Sequence, residues 1–531
     1  MRNFTVIVAI CVIGLGPRPI LSQEDNGAAK GRTILFVDDH EILYRAGTKR
    51  VLQPLKRHSD KAIINMAHPW EVGIGYTSVY RDPKTGKYQL WYQAYAGNRA
   101  GDRKLKCVVC YAESKDGIHF ERPELDLFPY KDQKKTNIVL LGNAGYGDRY
   151  CCSVLVDPNE SDPAKRYKMA YYDWSVVGKR EEPGLHVAFS PDGIRWTKHP
   201  GTLLKTSYGA RFQLPFADEL PYKETPAKGN LVRKTWSYPL TLSDVIDVFW
   251  DPVRQVFVLL GKFWLDGPDG TAGWKNGILR CESKDFINWS KPRLVLAPDD
   301  ADDPEVEFHG APAFFHKGRY FGLNQVLRRR GKLAIDLELM TSRDGIAWDR
   351  PFRKEFFLPR SQPGLFDSRT LLSNSTPIVL ENEIRFYYGA ANVAPLNGVK
   401  SEPGERSGVG MASIPLDRFA GLRPVDKSAQ ITLRKPLENI GQVTLKPLDL
   451  KGCTQINVNA DASKGAVRVE LLNEEGYRVR GYSKEDAVVL QGDSLLHKAG
   501  WKDHGIENLP VGRYLLRFHL DNATVFAVTF K

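Results

Sequence analysis

Ser190-Pro-Asp-Gly-Ile-Arg-Trp196 is one of four copies of a single turn, and its recurrence decides the fold. The other copies are Ser114-Lys-Asp-Gly-Ile-His-Phe120, Ser283-Lys-Asp-Phe-Ile-Asn-Trp289 and Ser342-Arg-Asp-Gly-Ile-Ala-Trp348. The chemistry of the turn is local. Its Asp accepts backbone N–H groups, Gly tolerates a positive φ, and the aromatic packs back onto the sheet. Each copy follows a strand-like run: VVCYAES, LHVAFS, ILRCES or LELMTS. Ahead of each lie two further runs joined by an Asp-Pro or Lys-Gly turn, as in SVYRDPKTGKYQLWYQAY and APAFFHKGRYFGLNQV. A fifth pair, STPIVLENEIRFYYGAAN, is followed by SGVGMASIPLDRF in place of the Asp turn.

The order strand, turn, strand, loop, strand, Asp turn, strand therefore occurs five times, at intervals of roughly 60–90 residues. A four-stranded antiparallel unit cannot bury both faces alone, so such units stack into a ring. The expected fold is all-β: a five-bladed β-propeller over residues 30–425, then a small β-sandwich over 428–531. The second assignment rests on alternating runs after Arg423, such as AVRVELLN and RYLLRFHLD, that carry no Asp turn. The early segment Thr33–Val51 is expected to add strands that help close the ring.

Composition narrows the class. The chain has 531 residues, room for two or three domains, and its 57 aromatics stand beside 46 Gly and 33 Pro, which favours short strands over long helices. Residues 1–22 read as an export leader: Arg2, then the apolar run FTVIVAICVIGL, then polar sequence from Gln23. The destination is the periplasm or beyond, with no membrane span once the leader is removed, since no other stretch approaches ~20 apolar residues. A formal charge of +12 without a basic helix or long Lys/Arg run argues against nucleic acid and fits a glycan partner, neutral or anionic. Cys107-Val-Val-Cys110 resembles half a zinc site, but residues three apart on a strand face opposite ways and no second such pair exists. No metal or cofactor is expected, with a structural calcium left open.

The SKDFINW turn with its following Pro, the five-unit hairpin plan and the closing GVGMASIPLDRF together resemble the five-bladed propeller glycosidases. These include glycoside hydrolase families 32 and 43 and the phosphorylases of family 130. In particular the chain resembles exported family-32-like proteins of planctomycete-type bacteria, on its FVDD opening, its HPWE first unit and its C-terminal run of strands. The resemblance implies a glycoside hydrolase acting on a poly- or oligosaccharide. The alternatives are a non-catalytic glycan-binding propeller and a phosphorylase or lyase on the same fold. The invertase-type Trp-x-Asn-Asp-Pro-Asn-Gly opening is replaced here by His68-Pro69-Trp70-Glu71, and the family's Glu-Cys motif is absent, so sucrose-type chemistry is not implied.

Glycosidic cleavage needs one protonated and one ionised carboxyl across the substrate. In a propeller such groups come from the entries of the inner strands. Those entries offer Glu71; Asp148 with Arg149; Asp244 and Asp247; Glu305, Glu307 and His309; and Asp367 with Arg369. Glu71, Asp244, Asp247, Glu305 and Glu307 are the catalytic candidates. Trp70, Asp148, Arg149, His309, Asp367 and Arg369 are candidates for holding substrate, the arginines as clamps for a carboxylate or sulfate. Glu305, Glu307 and His309 alternate and should share a face, whereas Asp244 and Asp247 should point apart unless a bulge intervenes.

Overall fold

The computed structural model describes residues 28–145, 149–205, 222–226, 232–236, 242–270, 274–329, 333–393, 406–431 and 436–531. Among these residues it is all-β, with short 3₁₀ turns beside the strands. The four Asp turns form as their chemistry dictates. In each, the Ser hydroxyl accepts the N–H groups of the Asp and of the residue after it, and the Asp carboxylate accepts the two after those. Gly117, Gly193 and Gly345 take φ of +75°, +78° and +70°, and Phe286 takes +66° at the same place.

Each repeat folds as an antiparallel meander. The first runs through Gly73–Arg81, Tyr88–Tyr95, Cys107–Ser114 and Ile138–Leu140. The second is built on Tyr150–Val156, Tyr167–Val177 and Arg180–Ser190. The third is Ile246–Asp251, Val256–Leu265, Lys275–Ser283 and Arg293–Leu296. The fourth and fifth are centred on Arg319–Arg328 and Glu383–Ala391 and are joined into one sheet by the parallel pair Ile335↔Thr370.

The turns also clasp neighbouring meanders. The Trp91 indole N–H of the first donates to the Gly193 carbonyl of the second at 2.6 Å, and Arg280 of the third donates to Gly345 of the fourth at 2.8 Å. Tyr387 of the fifth donates back to Gly117 of the first at 2.8 Å. The fifth and first meanders also approach so closely that a Cβ on Gly389 would lie 1.9 Å from the Gly75 carbonyl oxygen.

Two features differ from the sequence reading. The last strand of the fifth meander comes from the N-terminal region, but from Lys56–Arg57 and Ile64–Asn65 rather than from Thr33–Val51. The earlier segment pairs elsewhere: Thr33–Leu35 with Thr524–Phe530, Ile42–Ala46 with Ile440–Leu445, and Thr48–Leu52 with Ala420–Pro424. Lys427–Ile431 and Pro436–Glu438 pair as a separate hairpin, and the later C-terminal strands join these N-terminal strands in one ten-stranded sheet. Its long strand Ile456–Asn473 pairs with Thr524–Phe530 along its first half and with Arg513–Asp521 along its second, so the sheet bends around one core.

Candidate functional site

The inner strands break register at a common level. In the first meander pairing jumps from Ile74↔Ala94 to Thr77↔Tyr92, and in the second from Tyr150↔Tyr172 to Ser153↔Ala170. In the third, the Ser243 N–H donates to the Lys262 carbonyl while the Lys262 N–H donates to Val245, which loops Asp244 out of the ladder. In the fourth, His309 and Gly310 both pair with Gln325. In the fifth, pairing steps from Leu372↔Gly389 to Ile378↔Arg385. Bulges re-aim side chains, and these five surround a cavity of about 430 Å³. Tyr76, Tyr150, Asp244, His309 and Leu372, all at or beside the breaks, line it.

The loop-out ahead of Ile246 removes the expected conflict between Asp244 and Asp247. Asp244 lies on the cavity wall with the Lys262 ammonium 2.5 Å away and the Ser243 hydroxyl 3.1 Å away. Burial pushes its carboxyl up, but Lys262 outweighs burial and leaves it below the usual carboxylate range. Asp247 sits deeper and does not line the cavity; it accepts from Ser153 at 2.8 Å and from Ser375, so it bridges the second, third and fifth meanders. Burial dominates there and raises its pKa to about 7. Between them lies Cys151, at φ +67°, whose sulfur accepts the Ile246 N–H at 3.3 Å.

The fourth meander supplies the neighbouring wall. The His309 imidazole bonds Gln325 at 3.0 Å, and burial, with Lys262 adding to it, lowers its pKa to about 4. Glu307 stands behind the wall: one oxygen accepts from Asn276 at 2.7 Å, and both accept from Arg329. Asn276 and Arg329 themselves face the cavity, and the Arg329 guanidinium lies 5.3 Å from the Trp264 ring centroid. Glu305 is half-buried just before this strand and does not line the cavity.

The remaining candidates are placed elsewhere. Glu71 closes its own turn, accepting from the Ala67 and His68 N–H groups at 2.8 and 2.9 Å and from Tyr92, with Arg122 at 3.3 Å. Trp70 is buried, its indole N–H donating to Asn137 at 3.1 Å. Asp367 is fully buried and ties Arg57 (2.7 Å), Tyr388 (3.0 Å) and Ser361 together, which anchors the N-terminal strand to the fifth meander. Arg369 is half-buried, its backbone bonded to Ile335 and Ala391, and is not part of the cavity lining. Arg149 is buried over the Tyr171 ring and donates to the Cys107 carbonyl at 2.8 Å. Asp148 lies outside the described residues.

A larger cavity, about 580 Å³, lies on the outer flank of the first meander between His68, Arg122 and Lys134. Among the described residues only one meander contributes to it, and the carboxylate behind it is Glu71, already fully engaged. The central cavity, which draws side chains from all five meanders, is the better candidate for chemistry. Sequence reasoning missed Lys262, Asn276, Arg329 and Arg406, which line it. The available signal was a cation at the end of an apolar strand, as in VFVLLGKFWL and RYFGLNQVLRR.

No family model and no curated protein matches the chain. Among solved structures it is similar to a glycoside hydrolase at 14% identity, over 68% of this chain and 92% of that one, with a TM-score of 0.44. It is similar to a glycosyl hydrolase from Bacteroides ovatus at 15% identity, over 69% and 97% of the two chains, TM-score 0.43. A third is a structure from work on "the GH130 family of mannoside phosphorylases", at 16% identity over 73% and 96%, TM-score 0.41. Superposition is partial in every case.

Proposed function

We propose that this chain is an exported glycoside hydrolase acting on a poly- or oligosaccharide, built as a five-bladed β-propeller with a C-terminal β-sandwich-like module. The observation that carries this reading is the Asp244–Asp247 pair. Hydrolysis of a glycosidic bond needs an ionised carboxylate and a protonated one, and these two sit in environments that push their proton affinities apart. Asp244, beside Lys262, is the ionised partner, acting as base or nucleophile. Asp247, its pKa raised to about 7 and its carboxyl buried behind the cavity lining rather than on it, is the proposed proton source for the leaving oxygen. Trp264 and Tyr95 line the cavity and offer faces for sugar rings. Glu307 acts indirectly by fixing Asn276 and Arg329.

A second reading, a non-catalytic glycan-binding propeller, is favoured by the fact that each of these carboxylates already has partners. One experiment separates the two. The purified protein is assayed on a panel of aryl glycosides and plant and algal oligosaccharides beside Asp244→Asn and Asp247→Asn. The hydrolase reading expects turnover by wild type and a loss of roughly 10²–10⁴-fold in each variant with binding retained. Undiminished turnover in both variants overturns the assignment of residues. Saturable binding with no turnover anywhere on the panel establishes the binding reading.

A further inference from the structure

We propose that the central cavity selects a sugar bearing an acidic group, a uronic-acid carboxylate or a sulfate ester, held by Lys262, Arg329 and Arg406. The inference rests on the glycan-processing reading and names its substrate class. Among the described residues, three cations line this cavity against a single carboxylate, Asp244. Glu307, only 4% exposed behind Arg329, pairs with that guanidinium, and Asp244 pairs with Lys262, so among the described residues the wall keeps one positive charge beyond these carboxylates. The flank cavity is a useful contrast: there Arg122, Lys134 and Lys135 are offset by Glu124 and Asp132 in the same lining, with Lys135 and Glu124 paired at 3.1 Å.

Two groups in the wall report the local field. His309 is held well below its ordinary value by burial, with Lys262 and Arg329 adding to it. Asp244 is lowered despite burial that would raise it, because of Lys262. Burial is the larger cause for His309, but Lys262 acts on both groups in the sense of a positive charge, and a concave, low-dielectric wall focuses such a field on a bound anion. Geometry supplies the specificity. Arg329 is held by Glu307, which takes its Nε and one Nη, and its guanidinium lies over the Trp264 ring, so the outer edge of a charged fork, its other Nη, stands beside an aromatic side chain. A sugar ring resting on Trp264 would bring a ring substituent toward that fork, and a guanidinium suits a carboxylate or sulfate there. Arg406 is exposed at the rim and adds charge at the point of entry.

The test uses matched pairs differing only in the acidic group: aryl glucoside against aryl glucuronide, methyl-esterified against free oligogalacturonides, and desulfated against sulfated galactan oligosaccharides. Binding is followed by calorimetry and turnover by product analysis, with and without inorganic phosphate. The expected result is binding at least about tenfold tighter for the acidic member of one pair, weakening as salt rises. Arg406→Gln, on the exposed rim, should narrow that ratio without shifting the unfolding midpoint. Equal or weaker binding of every acidic member overturns the inference, and cleavage of neutral members would leave the hydrolase reading standing. Cleavage that requires phosphate also overturns it, because the cationic wall would then seat a co-substrate. Tight acidic-sugar binding without cleavage supports the inference and removes the hydrolase reading instead.

Discussion

Asp247 makes the most direct residue-scale prediction, because its pKa of about 7 is a statement about stability as well as chemistry. A carboxyl whose native pKa lies above its unfolded value favours the fold while protonated. That contribution is present below about pH 4 and is lost as pH rises through about 7. Above about pH 8 the buried carboxylate therefore costs roughly 2–4 kcal/mol. Asp247→Asn keeps an acceptor for Ser153 and Ser375 but cannot ionise. It should unfold at higher urea than wild type at about pH 8.5, and the advantage should vanish near about pH 4.5. An advantage independent of pH would show that Asp247 is not the titrating group. Cys151 makes a second prediction. It is buried, so a larger apolar side chain should help on area alone, but its φ of +67° is hostile to β-branched residues. Cys151→Val should be less stable than Cys151→Gly by about 2 kcal/mol, read from urea midpoints, despite filling more of the site.

Among elements, the Asp turn clasps the neighbouring meander as well as ending a strand, and it does so through the residue that follows its Asp. That residue is Gly in three copies because the space is taken: a Cβ on Gly193 would sit 2.6 Å from Trp91. In the copy at 283–289 Phe286 fills the place itself, buried among Phe189, Phe257 and Trp289. Phe286→Gly relieves a positive φ worth about 1 kcal/mol but loses a buried ring, for a net cost of roughly 2–4 kcal/mol. Gly193→Phe should not fold, and a soluble, cooperative Gly193→Phe protein would refute the steric argument. The turn was legible in the sequence because all of its hydrogen bonds lie within a few residues. The site was legible only in part. Asp244, Asp247 and His309 stand at inner-strand entries, where a carboxylate or imidazole can be picked out from the repeat alone. In an antiparallel meander, however, the end of the second strand lies beside the start of the first, so Lys262, Trp264 and Arg329 reach the same mouth. Glu71 stood at an entry too, but its carboxylate is taken by the N–H groups of its own turn and by the Tyr92 hydroxyl. The register breaks were invisible, since a bulge is a relation between two strands.

At the scale of the molecule, what the sequence hid was long-range pairing. Nothing local in Thr33–Val51 distinguishes a strand that closes a ring from one that joins a sheet at the far end of the chain, and the second is what forms. Residues 428–531 therefore supply most of their core but not all of it. Ile34, Phe36 and Ile42 from the N-terminal region, with Leu422 from just upstream, are buried in it. At about 1.5–3 kcal/mol for each buried side chain, losing all four removes roughly 6–12 kcal/mol, comparable to the whole stability of a typical domain. A fragment of 428–531 should accordingly lack a cooperative urea transition by circular dichroism. The chain ends suggest the remedy: Gly31 donates to the Phe530 carbonyl at 2.9 Å, and Phe530 donates to Arg32 at 3.0 Å. A permuted fragment running from 416 to 531, through a short Gly-Ser linker, into 28–55 restores every missing strand in its native direction. It should regain a single sharp transition. A fragment of 428–531 that folds as stably as the permuted one would mean that the N-terminal strands are an accessory of that sheet rather than part of its core.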